Sequence, residues 1–178
     1  GYAIPGAILA IGILIPLAAF DNMFDSFMRS TFGISTGLLL SGSLFALLFA
    51  YLVRFLAISL GTIEAGFHKI SPNLDGAART LGQNSVGGFR LVLLPIMRPS
   101  VAAAALLVFV DTMKELPATL LLRPFNFDSL ATLVFEFASR EEFEEAGLAG
   151  LTIVAFGLIP LLILNRTVST GRSEQSKD

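Results

Sequence analysis

Cysteine is absent from this 178-residue sequence, and histidine occurs once, at His68. No disulfide, thiolate metal site or cysteine nucleophile is therefore available, and one imidazole does not build a metal cage from protein ligands. Charge is scarce too: 15% of the residues are Asp, Glu, Lys or Arg, where soluble domains average roughly 25%. Three motifs that would carry catalysis are also missing, namely the GxxxxGK[ST] phosphate loop, HExxH and GxSxG. These residues thus lack the parts for ATP hydrolysis or covalent catalysis, and neither a cofactor nor a nucleic-acid partner is expected. The lone His68 borders a basic segment and reads as an interfacial side chain rather than a ligand.

What the sequence has in abundance is apolar residues, 54% of the total, gathered in blocks of membrane-spanning length. The first block, Gly1 to Phe20, carries no charge. About twenty residues at 1.5 Å rise cross the ~30 Å hydrocarbon layer. Pro16 is expected to kink it near its end, and Asp21 to Thr31 reads as a polar connection. A second block runs from Phe32 to about Val53, with small residues at Gly33, Gly37, Ser41 and Gly42 that would permit close helix approach in lipid. Beyond Arg54 the pattern becomes amphipathic. The third block is expected to begin at Pro99, as an N1-type proline, and to continue through Asp111, Lys114 and Glu115 to Leu122. Ser129 to Ala138 is a short amphipathic helix, too short to span and so interfacial or re-entrant. Glu141, Glu142, Glu144 and Glu145 then precede the fourth block, Ala146 to Leu164, where carboxylates suit the positive end of a helix. The fold class is all-α: a polytopic helical membrane protein with about four spans over residues 1–165 and a polar tail at 166–178. The opening Gly1 in place of Met suggests a piece of a longer protein.

The stretch between the second and third blocks, Ser71 to Ser100, has a different character. Ser71 followed by Pro72 reads as an N-cap with proline at the first helical position. Leu74, Ala77, Ala78 and Leu81 share a helical face, and Gly82 supplies a left-handed stop. A helix of about seven residues is only ~10 Å long and needs a partner surface to lie against.

Spacing gives this stretch a further meaning. Gly76, Ala77, Ala78, Gly82, Val92, Leu94 and Pro95 resemble the EAA loop of binding-protein-dependent ABC transporter permeases, a pattern of Glu-Ala-Ala, three residues, Gly, nine residues, Ile, any residue and Leu-Pro. Gly76 stands in place of the Glu and Val92 in place of the Ile, while Asp75 offers an acid one residue early. The resemblance implies a cytoplasmic coupling helix that docks in a surface groove of an ATP-binding cassette ATPase dimer. On that reading Gly76, Ala77, Ala78 and Gly82 form the docking surface, Arg79 touches it, and Leu94 and Pro95 complete the motif. A second likeness covers nearly the whole chain: the first block, together with the segment from Phe109 to Ser139, resembles the C-terminal part of bacterial ferric-iron permeases with two fused halves. It implies a remaining permease half, a periplasmic substrate-binding protein and ferric iron as cargo. Permeases for thiamine, polyamines or sulfate stay open as alternatives, as does a membrane subunit that does not transport.

Two readings of the charges follow. Lys and Arg cluster between the second and third blocks and in the tail, at Lys69, Arg79, Arg90, Arg98, Arg166, Arg172 and Lys177, with Arg54 at the border. By the positive-inside rule these face the cytoplasm of a bacterial inner membrane, so both termini of this piece lie inside. Asp111, Lys114 and Glu115 are spaced i, i+3 and i+4, which puts them on one face of a continuous helix. They are either the lining of an outward-opening pathway or a salt-bridged structural cluster near the interface.

Overall fold

The structure is a computed structural model that describes residues 2–71, 73–80, 82 and 84–174, with the side chains of Asp75, Ala77, Ala78, Arg79, Pro160 and residues 163–174 outside that description. Among the described residues it is helical throughout: α1 Gly6–Phe32, α2 Leu44–Phe67, α3 Asn73–Thr80, α4 Ser85–Gly88, α5 Leu94–Met113, α6 Pro117–Leu122, α7 Leu130–Ser139 and α8 Phe143–Glu174. A π-helical turn, Phe89–Leu93, joins α4 to α5. Three stretches among the described residues are long and apolar enough to cross a membrane: Gly6–Phe32, Leu44–Phe67 and Ser85–Met113. The fourth expected span falls on α8, whose helical backbone runs on through the expected tail to Glu174; residues 175–178 lie outside the described residues.

The chain divides into two compact units, Gly1–Ala57 with Val110–Gly157, and Ile58–Phe109 with Leu158–Asp178. The first has a core of small and aliphatic side chains: Ala10 of α1, Ala46, Leu47 and Ala50 of α2, and Ala118 and Leu122 of α6, flanked by Ile13, Leu14, Leu17, Tyr51 and Phe127. Alanine at these contacts lets helix backbones approach closely, which is how helices associate without a hydrophobic driving force between them. Outward-facing positions are apolar as well, with Ile8, Ile15, Leu48 and Leu52 all exposed. Soluble proteins rarely expose apolar surface on this scale. In the second unit, Gly66 of α2 is buried against α5, and a Cβ at Gly66 would lie 2.6 Å from Ser100 Cβ and 3.2 Å from Met97 Cε.

Several boundaries differ from the sequence pattern. The expected polar connection Asp21–Thr31 is the last part of α1, at 27 residues a helix of ~40 Å. Its polar residues do not end the helix because Asp21, Asp25 and Arg29 recur every fourth position on one face, where a neighbouring loop satisfies them. That loop, residues 33–43, replaces the expected start of the second span. Gly33 and Gly37 sit at φ of 70° and 63°, and the Gly33 N–H closes α1 on the Arg29 carbonyl. Ser41 and Gly42 lie in the same loop, so these four small residues shape a turn instead of a helix interface. Beyond Arg54, the amphipathic stretch is α2 continuing to Phe67, and His68 is an exposed side chain just past its end, 3.9 Å from Glu64.

The third span begins before Pro99, which lies inside α5. Pro95 has no N–H for the Leu91 carbonyl and its ring crowds that oxygen. The π-helical turn ahead of it widens the backbone there, with the Leu94 N–H reaching back to the Phe89 carbonyl. The chain thus passes Pro95 by a wide turn within one helical run, Ser85–Met113. Other local expectations agree with the structure: the short helix expected over Ser129 to Ala138 is α7, Leu130–Ser139. Ser129 caps α7 by accepting the Thr132 N–H, and the Thr132 hydroxyl accepts the Ser129 N–H in return. Glu144 and Glu145 occupy the first turn of α8.

Candidate functional site

Two regions hold the residues singled out by the sequence. In the first, α3 spans Asn73–Thr80 and Gly82 follows at φ 81°, the left-handed conformation expected of a helix stop. The Ser71 hydroxyl accepts the Asn73 N–H at 3.4 Å, as an N-terminal cap. Pro72 and Leu81 lie outside the described residues. Gly76 and Gly82 are exposed, with open space where a Cβ would project. The backbone places Ala77, Ala78 and Arg79 on α3; the expected contact of the Arg79 side chain lies outside the described residues. Leu94 and Pro95 open α5 immediately after the π-helical turn.

The second region is the charged group near the end of α5. Its three members do not share one helical face, because the helix stops at Met113. Pro117, with no N–H of its own, cannot continue the ladder from Met113, and instead starts α6. The Glu115 N–H turns back to the Thr112 carbonyl at 3.2 Å. Asp111 remains on α5 and is buried; it pairs with Lys114 at 2.8 Å and accepts the Tyr2 hydroxyl at 3.2 Å.

Glu115 turns elsewhere. Its Oε2 lies 3.0 Å from Arg54 Nε of α2, with both side chains largely buried, at ion-pair separation but without hydrogen-bond alignment at that nitrogen. Glu115 Oε1 accepts the Ala118 N–H at the start of α6, at 3.4 Å. The Glu115 carbonyl accepts the Thr119 hydroxyl, which also bonds the Tyr51 hydroxyl. Arg54, Tyr2, Tyr51 and Thr119 were not among the residues singled out by spacing, since each reaches the group from a distant part of the chain. Among the described residues no group of three or more His, Asp or Glu side chains is placed to hold a metal ion.

A third polar region had no sequence signal at all. Asp21, fully buried on α1, accepts the N–H groups of Leu40 and Ser41 and the Ser41 hydroxyl. One turn on, Asp25 accepts the N–H groups of Thr36 and Gly37 and the Ser35 hydroxyl, and pairs with Arg29 at 2.7 Å. Between α6 and α7, Arg123 pairs with Asp128 and with Glu136, the latter at 2.8 Å. These bonds hold a loop whose tip, Phe125, is fully exposed. The Arg123 guanidinium, bonded to Glu136, holds that carboxyl below its ordinary value of 4.5.

Long apolar helices joined by short polar segments, with buried charges paired within the protein, define a polytopic helical membrane protein. Its relatives are permease proteins. The chain is 30% identical over 165 residues to the Fe(3+)-transport system permease protein FbpB 2 of Haemophilus influenzae, a match covering 93% of this chain and 29% of that protein. It is 27% identical over 180 residues to the ABC transporter permease protein y4fN of Sinorhizobium fredii, covering 99% of this chain and 30% of the relative. It is 26% identical over 127 residues to PhnV of Salmonella typhimurium, named for 2-aminoethylphosphonate transport, covering 71% of this chain and 48% of the relative. The chain spans less than half the length of each. No protein-family profile matches it. Apolar helices and permease relatives together point to a multi-pass protein of the inner membrane.

Proposed function

We propose that this chain is the C-terminal part of the permease subunit of an ATP-driven importer, with residues 1–165 as its transmembrane portion, 166–178 as a cytoplasmic tail and ferric iron as cargo. The observation that carries the reading is the short capped helix α3, ended by left-handed Gly82, where the EAA-like spacing falls in a chain whose relatives are permeases. In this reading α3 docks on a cytoplasmic ATPase dimer through Gly76, Ala77, Ala78, Arg79 and Gly82. A short rigid element passes on a displacement that a floppy loop would absorb. ATP is hydrolysed in that separate subunit; a periplasmic binding protein delivers the cargo; and the remaining permease half completes the pathway in the lipid bilayer. Both termini of the segment are cytoplasmic.

Asp111 and Lys114 are the pathway candidates that the geometry favours, because their partners are each other and Tyr2. Iron as cargo rests on the ferric permeases among the relatives; the likeness to PhnV favours 2-aminoethylphosphonate as a second reading. The test is uptake of labelled ferric iron, and separately of labelled 2-aminoethylphosphonate, by cells carrying the complete parent transporter with and without its ATPase. ATPase-dependent uptake of iron supports the proposal. Uptake of iron that is indifferent to the permease or to the ATPase overturns it, and a labelling reagent that reaches position 79 only from outside overturns the coupling role of α3.

A further inference from the structure

Three stretches of the chain converge on one guanidinium. Arg54 of α2 lies 3.0 Å from Glu115 Oε2 through Nε and donates from Nη1 to the Ile4 carbonyl at 2.7 Å. Glu115, 8% exposed in its side chain, belongs to the break between α5 and α6 and caps the Ala118 N–H with its other oxygen. Gly6 opens α1 against this pair: a Cβ there would collide with Glu115 Oε1 and lie 3.4 Å from Arg54 Nη1. The Glu115 carboxylate thus has Oε1 as a hydrogen-bond acceptor and Oε2 at ion-pair distance from Arg54, and Arg54 joins it to a main-chain oxygen of a different segment. The two contacts are made through different nitrogens of one rigid guanidinium, a spread of positions that the single nitrogen of a lysine ammonium does not reproduce.

We infer that Arg54 and Glu115 act as a positioning pair for transport, fixing the α5–α6 break against α2 and the N-terminal segment, rather than as ligands of the cargo. The inference rests on the proposed permease function for its transport readout. A carboxylate that must receive cargo needs an oxygen free to offer it, whereas here one oxygen accepts the Ala118 N–H and the other lies 3.0 Å from the Arg54 guanidinium, with both side chains largely buried. Removal of one partner leaves a buried charge without its counterion; removal of both charges does not.

The experiment uses the complete parent transporter carrying Arg54→Gln, Glu115→Gln, both together, Arg54→Lys, or Gly6→Ala. Each single variant is expected to lower the maximal rate of labelled ferric-iron uptake by about tenfold or more while the half-saturating concentration stays within about twofold, and the Gln–Gln double variant to recover most of the rate. Arg54→Lys is expected to recover little of it. Gly6→Ala keeps both charges and disturbs the pair by contact alone, so it reports even where a charge-neutralised variant fails to accumulate in the membrane. A raised half-saturating concentration with an unchanged maximal rate for Glu115→Gln makes Glu115 a cargo ligand and overturns the inference. A double variant no better than its singles overturns it equally. Should the wild-type transporter take up no iron, the proposed cargo fails by itself. Thermal unfolding of the wild type, both Gln singles and the double variant in detergent then decides whether the two side chains are coupled, and additive losses of stability reject the pair.

Discussion

The Asp21 carboxylate on α1 accepts the Ser41 backbone N–H at 2.8 Å and the Ser41 hydroxyl at 2.7 Å, so a fully buried charge is compensated by a loop that would otherwise have unpaired amides. Hydrogen bonds to an ionised group contribute more than neutral ones, and a buried donor left without an acceptor costs its desolvation. Asp21→Ala is therefore expected to destabilise the protein by about 3 kcal/mol and to loosen residues 38–43. Hydrogen exchange at the Leu40 and Ser41 amides, with the thermal midpoint in detergent, measures both. Unchanged protection at Ser41 in the variant would show that the carboxylate does not hold the loop.

The contact of Gly66 with Ser100 gives a steric outcome. A methyl group at Gly66 meets Ser100 Cβ at 2.6 Å, closer than carbon atoms pack, and overpacking of this kind costs about 1–3 kcal/mol. Gly66→Ala is expected to lower the thermal midpoint, and Ser100→Gly in the same chain to restore it. Ser100→Ala, which removes the Oγ that would collide first but keeps the Cβ, is expected to restore less than Ser100→Gly.

Acid should act on the loop between α6 and α7. Because Arg123 holds the Glu136 carboxyl below 4.5, the ionised form is favoured in the folded protein. Its contribution is complete above the ordinary glutamate value and disappears as pH falls through the lowered folded value. The wild type is expected to exceed Glu136→Gln in thermal midpoint at pH 7 and to lose that advantage on titration below pH ~4.5. A difference that persists unchanged at low pH would assign the effect of the substitution to something other than this ion pair.

The docking role proposed for Gly82 can be separated from its part in folding. Its φ of 81° is strained for any residue with a side chain, by roughly 1–2 kcal/mol, while the space around it is open. Gly82→Leu in the parent transporter is expected to leave the permease in the membrane at near-normal level, and to reduce both co-purification with the ATPase and ATP-dependent uptake. Full retention of both would remove Gly82 from the docking surface.

The features legible in the sequence were those whose cause is local. The apolar spacing of Ser129 to Ala138, the acids ahead of α8, and Gly82 after Ala77-Ala78 each act over a turn or two of the chain. The boundaries that differed depend on partners far away. Asp21 and Asp25 look like a solvent-exposed connection until the amides of residues 36–41 are brought to them. Glu115 looks like a helix-face neighbour of Asp111 because the spacing assumes a continuous helix, and Pro117 breaks that assumption. Nothing near Arg54 in the sequence indicates that its counterion follows α5. Pro99 reads as a first helical residue because nothing next to it in the sequence shows that the helix has already begun, whereas α5 opens at Leu94.

The π-helical turn ahead of α5 has an effect on chain length. Five residues from Phe89 to Leu93 occupy a wide turn in place of the 3.6 of a regular helix, so this stretch carries slack of about one residue. Deleting a single position there is expected to tighten the coil to ordinary pitch and take up that slack, so that everything after it keeps its facing about the axis. The loose winding thus lets the count of residues between Gly82 and the Leu94-Pro95 pair change by one while the direction in which α5 presents its side chains is kept.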